Sequence, residues 1–190
     1  LYRKPSGGGT QRTLAAINDG NSCNTFHSQL AAADGLYYFN GSQSRIERMP
    51  LAEPFTPQEV KVLTGAQQPS TSRGFFDAGD YLYWPGYSNI FRTRKDGSSA
   101  VETVTNTANS ANDVVVVGTT VYWSDSTGIW TTTTSCGTLP CTPSQQQFAS
   151  LGANGLSSGL LYQSLGGPLG NYRVYWVERT GTNPSYSYSI

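Results

Sequence analysis

The chain has 190 residues, only 13% of them charged, with twelve basic and twelve acidic side chains that sum to zero. A length of this order supports one sizeable core, read here as a single domain over 1–190. The balance excludes nucleic-acid binding, which needs a basic stripe, and no apolar run approaches the roughly 18 residues of a membrane span. Gly, Ser, Thr and aromatic residues are plentiful, which is the composition of a turn-rich β protein.

Taken in chain order, Leu1-Tyr-Arg3 and Gln11-Arg-Thr-Leu14 read as two strands joined across the glycine run 7–9. A run near Ser28 to Ala33 leads to a turn at Asp34-Gly35 and the strand Leu36-Tyr-Tyr-Phe39. Asn40-Gly41 is a hairpin signal, because both residues tolerate positive φ. Arg45–Met49 and Glu59–Leu63 complete a four-strand unit. The next unit holds Gly74-Phe-Phe76, Tyr81–Trp84, Ile90-Phe-Arg92, a turn at Asp96-Gly97, and Val101–Val104. A third follows with Asp113–Val117, a turn at Gly118, Val121-Tyr-Trp123, Ile129-Trp130 and Gln146-Gln-Phe148. The chain ends on Val174-Tyr-Trp176 and Tyr186–Ile190, two strands of another unit.

Self-comparison gives two repeating markers. Aromatic pairs stand at Tyr38-Phe39, Tyr83-Trp84, Tyr122-Trp123 and Tyr175-Trp176, spaced 45, 39 and 53 residues apart. In phase with them, Leu1-Tyr-Arg3, Ile46-Glu-Arg48, Ile90-Phe-Arg92 and Ile129-Trp-Thr131 share an aliphatic start, and three of the four have Arg third. Four short strands per repeat is the pattern of a β-propeller blade, and a β-sandwich does not predict that super-period. The expected fold is therefore an all-β propeller with about four blade-like repeats, near 1–20, 21–65, 66–107, 108–150 and 151–190. It is either a closed four-bladed ring, its end repeats combining, or an excerpt of a six-bladed one.

Side chains alternate along a strand, so Tyr38, Tyr83, Tyr122 and Tyr175 are expected to point one way, and Phe39, Trp84, Trp123 and Trp176 the other. All eight are read as packing between blades.

Tyr122-Trp-Ser-Asp125, followed by Ile129, resembles the Tyr-Trp-Thr-Asp repeat of low-density-lipoprotein-receptor-type propellers. Tyr83-Trp84 with Ile90-Phe-Arg92 and Asp96-Gly97-Ser98 is similar to its longer form, and Cys136 to Pro143 to the cysteine-containing tails of exported bacterial relatives. The resemblance implies a six-bladed fold and says little of function, which lives in loops grafted on a scaffold. The Asp after the aromatic pair survives only as Asp125, so the family's carboxylate bonding between blades is not expected throughout.

Cys136-Gly-Thr-Leu-Pro-Cys141 reads as a small disulfide-closed loop, which agrees with an exported location, extracellular or periplasmic. A zinc site and two free thiols are the rivals; His27, the one histidine, is remote, and Cys23 is left odd. No nucleophile elbow, phosphate loop or zincin motif is present, so no cofactor, metal or catalytic residue is expected. The leading function is an extracellular binding or structural module for a protein or glycan, with the loop aromatics Phe55, Tyr87 and Tyr172 as contact residues. The alternatives are a propeller glycosidase or lyase using Asp77, Asp80 or Asp113, and a homo-oligomer or fibre subunit joined through its end blades.

Overall fold

The structure, a computed structural model, describes residues 2–3, 12–13, 29–70, 74–134, 146–150, 157–166, 171–182 and 185–189. The strands are β1 (Tyr2–Arg3), β2 (Arg12–Thr13), β3 (Gln29–Ala32), β4 (Gly35–Asn40), β5 (Arg45–Met49), β6 (Gln58–Val62), β7 (Phe76–Ala78), β8 (Tyr81–Pro85) and β9 (Asn89–Arg94). They continue as β10 (Glu102–Asn106), β11 (Asp113–Val117), β12 (Thr120–Ser124), β13 (Gly128–Thr133), β14 (Gln146–Ser150), β15 (Ser157–Gly166), β16 (Asn171–Thr182) and β17 (Ser185–Ser189). Three complete four-stranded antiparallel meanders result: β3 to β6, β7 to β10 and β11 to β14. A three-stranded sheet, β15 to β17, follows them, and β1 pairs with β2 in a sheet of its own. The only helical element among the described residues is one 3-10 turn, Gly65–Gln67. This is the β-propeller fold. Cys23, His27, Cys136 and Cys141 lie outside the described residues.

Each sheet offers two apolar faces and cannot cover either alone, so the core lies between sheets. Tyr37, Phe39, Ile46, Val60 and Leu63 of the first complete sheet meet Phe75, Leu82, Trp84 and Phe91 of the second. The second sheet's other face sends Tyr83, Ile90 and Val104 against Val114, Val116, Val121 and Trp123 of the third. Tyr122, Val115 and Ile129 then pack on Leu160, Val174 and Trp176 of the fourth. Trp84 and Trp123 are almost wholly buried, and Trp84 packs edge-on against Phe75 with ring centroids 6.0 Å apart. The Trp84 indole also donates to the Gln67 carbonyl at 2.8 Å, which satisfies its one polar atom inside the core.

The expected facing of the aromatic pairs is found in the second, third and fourth sheets and inverted in the first. The hairpins of the second and third sheets close on two residues, with Gly86 N–H bonded to the Asn89 carbonyl and Asp125 N–H to the Gly128 carbonyl. In the first, Asn40 pairs with Arg45 across 41–44, a loop two residues longer. The cross-strand partner Tyr37↔Arg48 is therefore the counterpart of Tyr83↔Arg92, and Tyr37-Tyr38 the counterpart of Tyr83-Trp84. Phe39 thus faces the second sheet, and Tyr38 lies on the opposite face, beside the buried Glu47. A one-residue displacement moves every side chain of a strand to the other face.

Backbone also packs between sheets. Gly97, in the turn after β9, has φ +74°, and a Cβ there would stand 2.5 Å from the Val60 carbonyl oxygen on β6. Lys61 Nζ donates to the Gly97 carbonyl at 3.1 Å, fixing the same approach.

Two stability measurements test this packing. Trp84→Ala should cost about 3–5 kcal/mol in thermal or denaturant unfolding, as for other large emptied sites, whereas Tyr87→Ala on the same hairpin should stay within about 0.5 kcal/mol. Gly97→Ala should cost about 1–3 kcal/mol, because it adds both a left-handed strain and a clash with the neighbouring sheet. A silent Gly97→Ala would mean that the turn and β6 do not touch.

Candidate functional site

Strands in a meander reverse direction at every turn, so the connections gather at two opposite ends. One rim carries the turns 33–34, 79–80 and 118–119 with the loops 50–57 and 95–101. The other carries the turns 41–44, 86–88 and 125–127 with the loops 64–70 and 107–112. Their chemistry differs sharply.

The first rim is charged. Lys95 lies 3.0 Å from both carboxylate oxygens of Asp77 and 3.5 Å from Asp34, so it ties the second sheet to the first. Asp34 also accepts the Tyr37 hydroxyl at 2.5 Å and Arg48 at 3.4 Å. Arg94 pairs with Asp80 at 3.6 Å and Asp96 at 3.5 Å, and these groups line a cleft of about 180 Å³. Burial pushes the Asp34 carboxyl up, but the Tyr37 hydroxyl, its own backbone and Lys95 outweigh it and hold the pKa below the ordinary value. Burial likewise pulls Lys95 down, and is outweighed by the Asp77 hydrogen bond and the charges of Asp77 and Asp34, which raise it.

The second rim is a ledge without exposed charge among its described turn and loop residues. The one formal charge among those residues, Asp125, is buried. One Asp125 oxygen accepts Thr127 N–H at 2.7 Å, the Thr127 hydroxyl at 2.6 Å and Gly128 N–H at 3.1 Å; the other accepts the Asn109 amide at 3.3 Å. Bordering strand residues are paired: Arg45 with Glu47 and Glu59, and Asp113 with the backbone N–H of Val114 and Leu160. Backbone bonds weld the ledge into one piece. Thr107 N–H donates to Ser88 at 2.8 Å, Asn112 N–H to Ser124 at 2.7 Å and Ser70 N–H to Pro85 at 2.9 Å. The buried Ser70 hydroxyl adds a bond to the Ala111 carbonyl at 3.0 Å. Out of this frame projects Tyr87, 55% exposed, at the tip of the β8–β9 turn. At its base the Asn89 amide donates to Asn106 at 2.6 Å.

The three aromatics expected to make contacts are not brought together. Tyr87 stands on the neutral ledge, whereas Phe55 is half-buried in the 50–57 loop of the charged rim. Tyr172 sits opposite Ser164 near the β15–β16 turn, and its side chain lies outside the described residues. The carboxylates of the glycosidase reading are divided too: Asp77 and Asp80 belong to the charged rim, and Asp113 starts β11 at the other end. Asn89, Asn106 and Asn109 escaped the sequence reading, since amides carry no motif. Between β4 and β15 the connections of that parity carry only Arg73 and Asp125 as charged residues, and this sparseness was the available signal.

Linkage fixes the pH response of the charged rim. The depressed Asp34 contributes stability present above its unfolded value near 3.9 and lost as pH falls through its folded value. The raised Lys95 contributes stability present below about 10.4 and lost as pH rises through its folded value. Melting temperature, so far as this network sets it, should be level between about pH 5 and about pH 9.5. Asp34→Asn should lower it on that plateau and flatten part of the acid-side fall; an unchanged acid slope would mean that the network adds no stability.

No protein-family model matches the chain, and no curated protein matches it. Among solved structures it is similar to a chain of the crystal structure of a nidogen/laminin complex, with a TM-score of 0.55 and 18% identity. That match covers 79% of this chain and 56% of the other, so the chain spans little more than half of its neighbour's length. It is also similar to the computationally designed protein Ika4, with a TM-score of 0.54 and 7% identity over 87% of this chain and 98% of that one. At such identities the likeness carries the fold alone.

Proposed function

We propose that the chain is a non-catalytic extracellular binding module that docks a protein or glycan partner on the neutral ledge. One observation carries the reading: Tyr87 projects from turns already locked to one another by backbone hydrogen bonds. Little ordering entropy is then lost on binding, and an exposed aromatic on a fixed backbone is a good anchor. The likeness to a chain from a nidogen/laminin complex supports the use of such a fold for protein binding. Low charge content accords with export. Kinship with Tyr-Trp-Thr-Asp repeats is supported by Asp125, which joins its own turn to the preceding loop through Asn109.

The glycosidase or lyase alternative has less behind it. Hydrogen bonds and charge push the carboxyls of Asp34 and Asp96 down, opposite to what a general acid requires. Asp77 and Asp80 are each engaged by a cation.

The test uses immobilised laminin and a set of polysaccharides as probes. The chain should bind a member of one class, and Tyr87→Ala should weaken that binding about 30-fold, the scale of a hot-spot aromatic at about 2 kcal/mol, while the melting temperature holds. Binding to neither class, or binding indifferent to Tyr87, would remove the reading.

A further inference from the structure

The chemistry of the ledge selects between the two partner classes. Among the described residues, the exposed large apolar side chains are Leu51, Val62, Tyr87 and Phe148. Leu51 belongs to the charged rim, and Val62 and Phe148 to the outer strands β6 and β14. Tyr87 is thus the one exposed large apolar group among the ledge's described turn and loop residues. A stable protein interface buries about 800 Å² on each partner around an apolar, aromatic-rich centre, and uses charge to steer encounter. Among its described turn and loop residues the ledge has neither the apolar centre nor exposed charge.

Its described residues do offer one exposed ring on a rim of amides and hydroxyls. Ser88, Ser110, Ser126 and Thr127 are exposed on the same rim as Tyr87 and the Asn89–Asn106 pair. Such groups both donate and accept hydrogen bonds, as a sugar hydroxyl does, and match it without desolvating an ion. A tyrosine ring offers its face to the C–H face of a pyranose and its hydroxyl to the sugar's rim.

On these grounds we infer that the ledge at Tyr87 is a binding site for a neutral, hydroxyl-rich glycan. This deepens the binding-module reading and rests on it. Sugar would stack on Tyr87 and exchange hydrogen bonds with the Asn89–Asn106 pair. Because no ion pair forms, affinity should be nearly independent of ionic strength, unlike a contact made by exposed charges.

The experiment places the whole chain over immobilised mannan, β-glucan, chitin oligomers, a sulfated polysaccharide, and laminin before and after removal of its glycans. The expected result is binding to at least one neutral polymer, changed less than about twofold between about 0.1 M and about 1 M salt. Tyr87→Ala should reduce it about tenfold or more, Tyr87→Phe should retain most of it, and Asn89→Ala should fall between. All three variants should melt with the parent. Tyr87-dependent binding to deglycosylated laminin alone would overturn the glycan inference and leave the binding-module reading standing. Binding to the sulfated polymer alone, lost in salt, would overturn the inference as well. If no probe binds through Tyr87, both readings fall together.

Discussion

Everything in this fold depends on the burial of sheet against sheet. The second four-stranded meander is apolar on both faces, because its strands alternate Tyr83 and Ile90 to one side with Leu82, Trp84 and Phe91 to the other. Alone it would expose one of them. Leu82, Trp84 and Phe91 are covered by the sheet before and Tyr83, Ile90 and Val104 by the sheet after, so each sheet is stable only as a member of a stack. Close approach of this kind also reaches the backbone, and it is why a glycine stands at position 97, where any Cβ would meet the Val60 carbonyl.

That constraint leaves its mark on the sequence, which is why the strands and their grouping can be read from it. Aromatic pairs and the aliphatic starts that follow them must recur with the sheet. The parity of the pairs is harder to read. In the run Tyr37-Tyr38-Phe39, any two neighbours can serve as the aromatic pair, and the choice depends on the length of the hairpin loop that follows. Two extra residues in 41–44 shift the pairing, so Tyr37, not Tyr38, lies opposite the arginine. The markers stay in phase to the eye while the faces exchange.

The same parity governs the rims, and there the sequence was more informative than a residue-by-residue search allows. Each strand carries the chain from one end of the sheet to the other, so counting strands assigns every turn to a rim. By that count Phe55 and Tyr87 lie at opposite ends, and Asp113 parts company with Asp77 and Asp80. What no count supplies is the bonding that makes a rim one object. The bonds Thr107 to Ser88, Asn112 to Ser124 and Ser70 to Pro85 join segments of chain whose sequences carry no sign of the contact.

The two rims solve one structural problem in different ways. Turns of adjacent sheets must be held in place, or the sheets would slide on their apolar faces, whose attraction is nondirectional. At the charged rim Lys95 does this, reaching Asp34 across the joint between sheets, and its partners are thereby occupied with one another. At the neutral rim the 107–112 loop does it, fastened by main-chain bonds to Ser88 of the second sheet and Ser124 of the third, together with a buried carboxylate that Asn109 reaches. Side chains at the first rim are consumed in holding the fold. At the second the backbone, with the side chains of Ser70, Asn109 and Asp125, holds the fold, and Tyr87 is left to face outward. A recognition surface is expected where a rigid frame presents an exposed side chain, and Tyr87 on the ledge meets that condition.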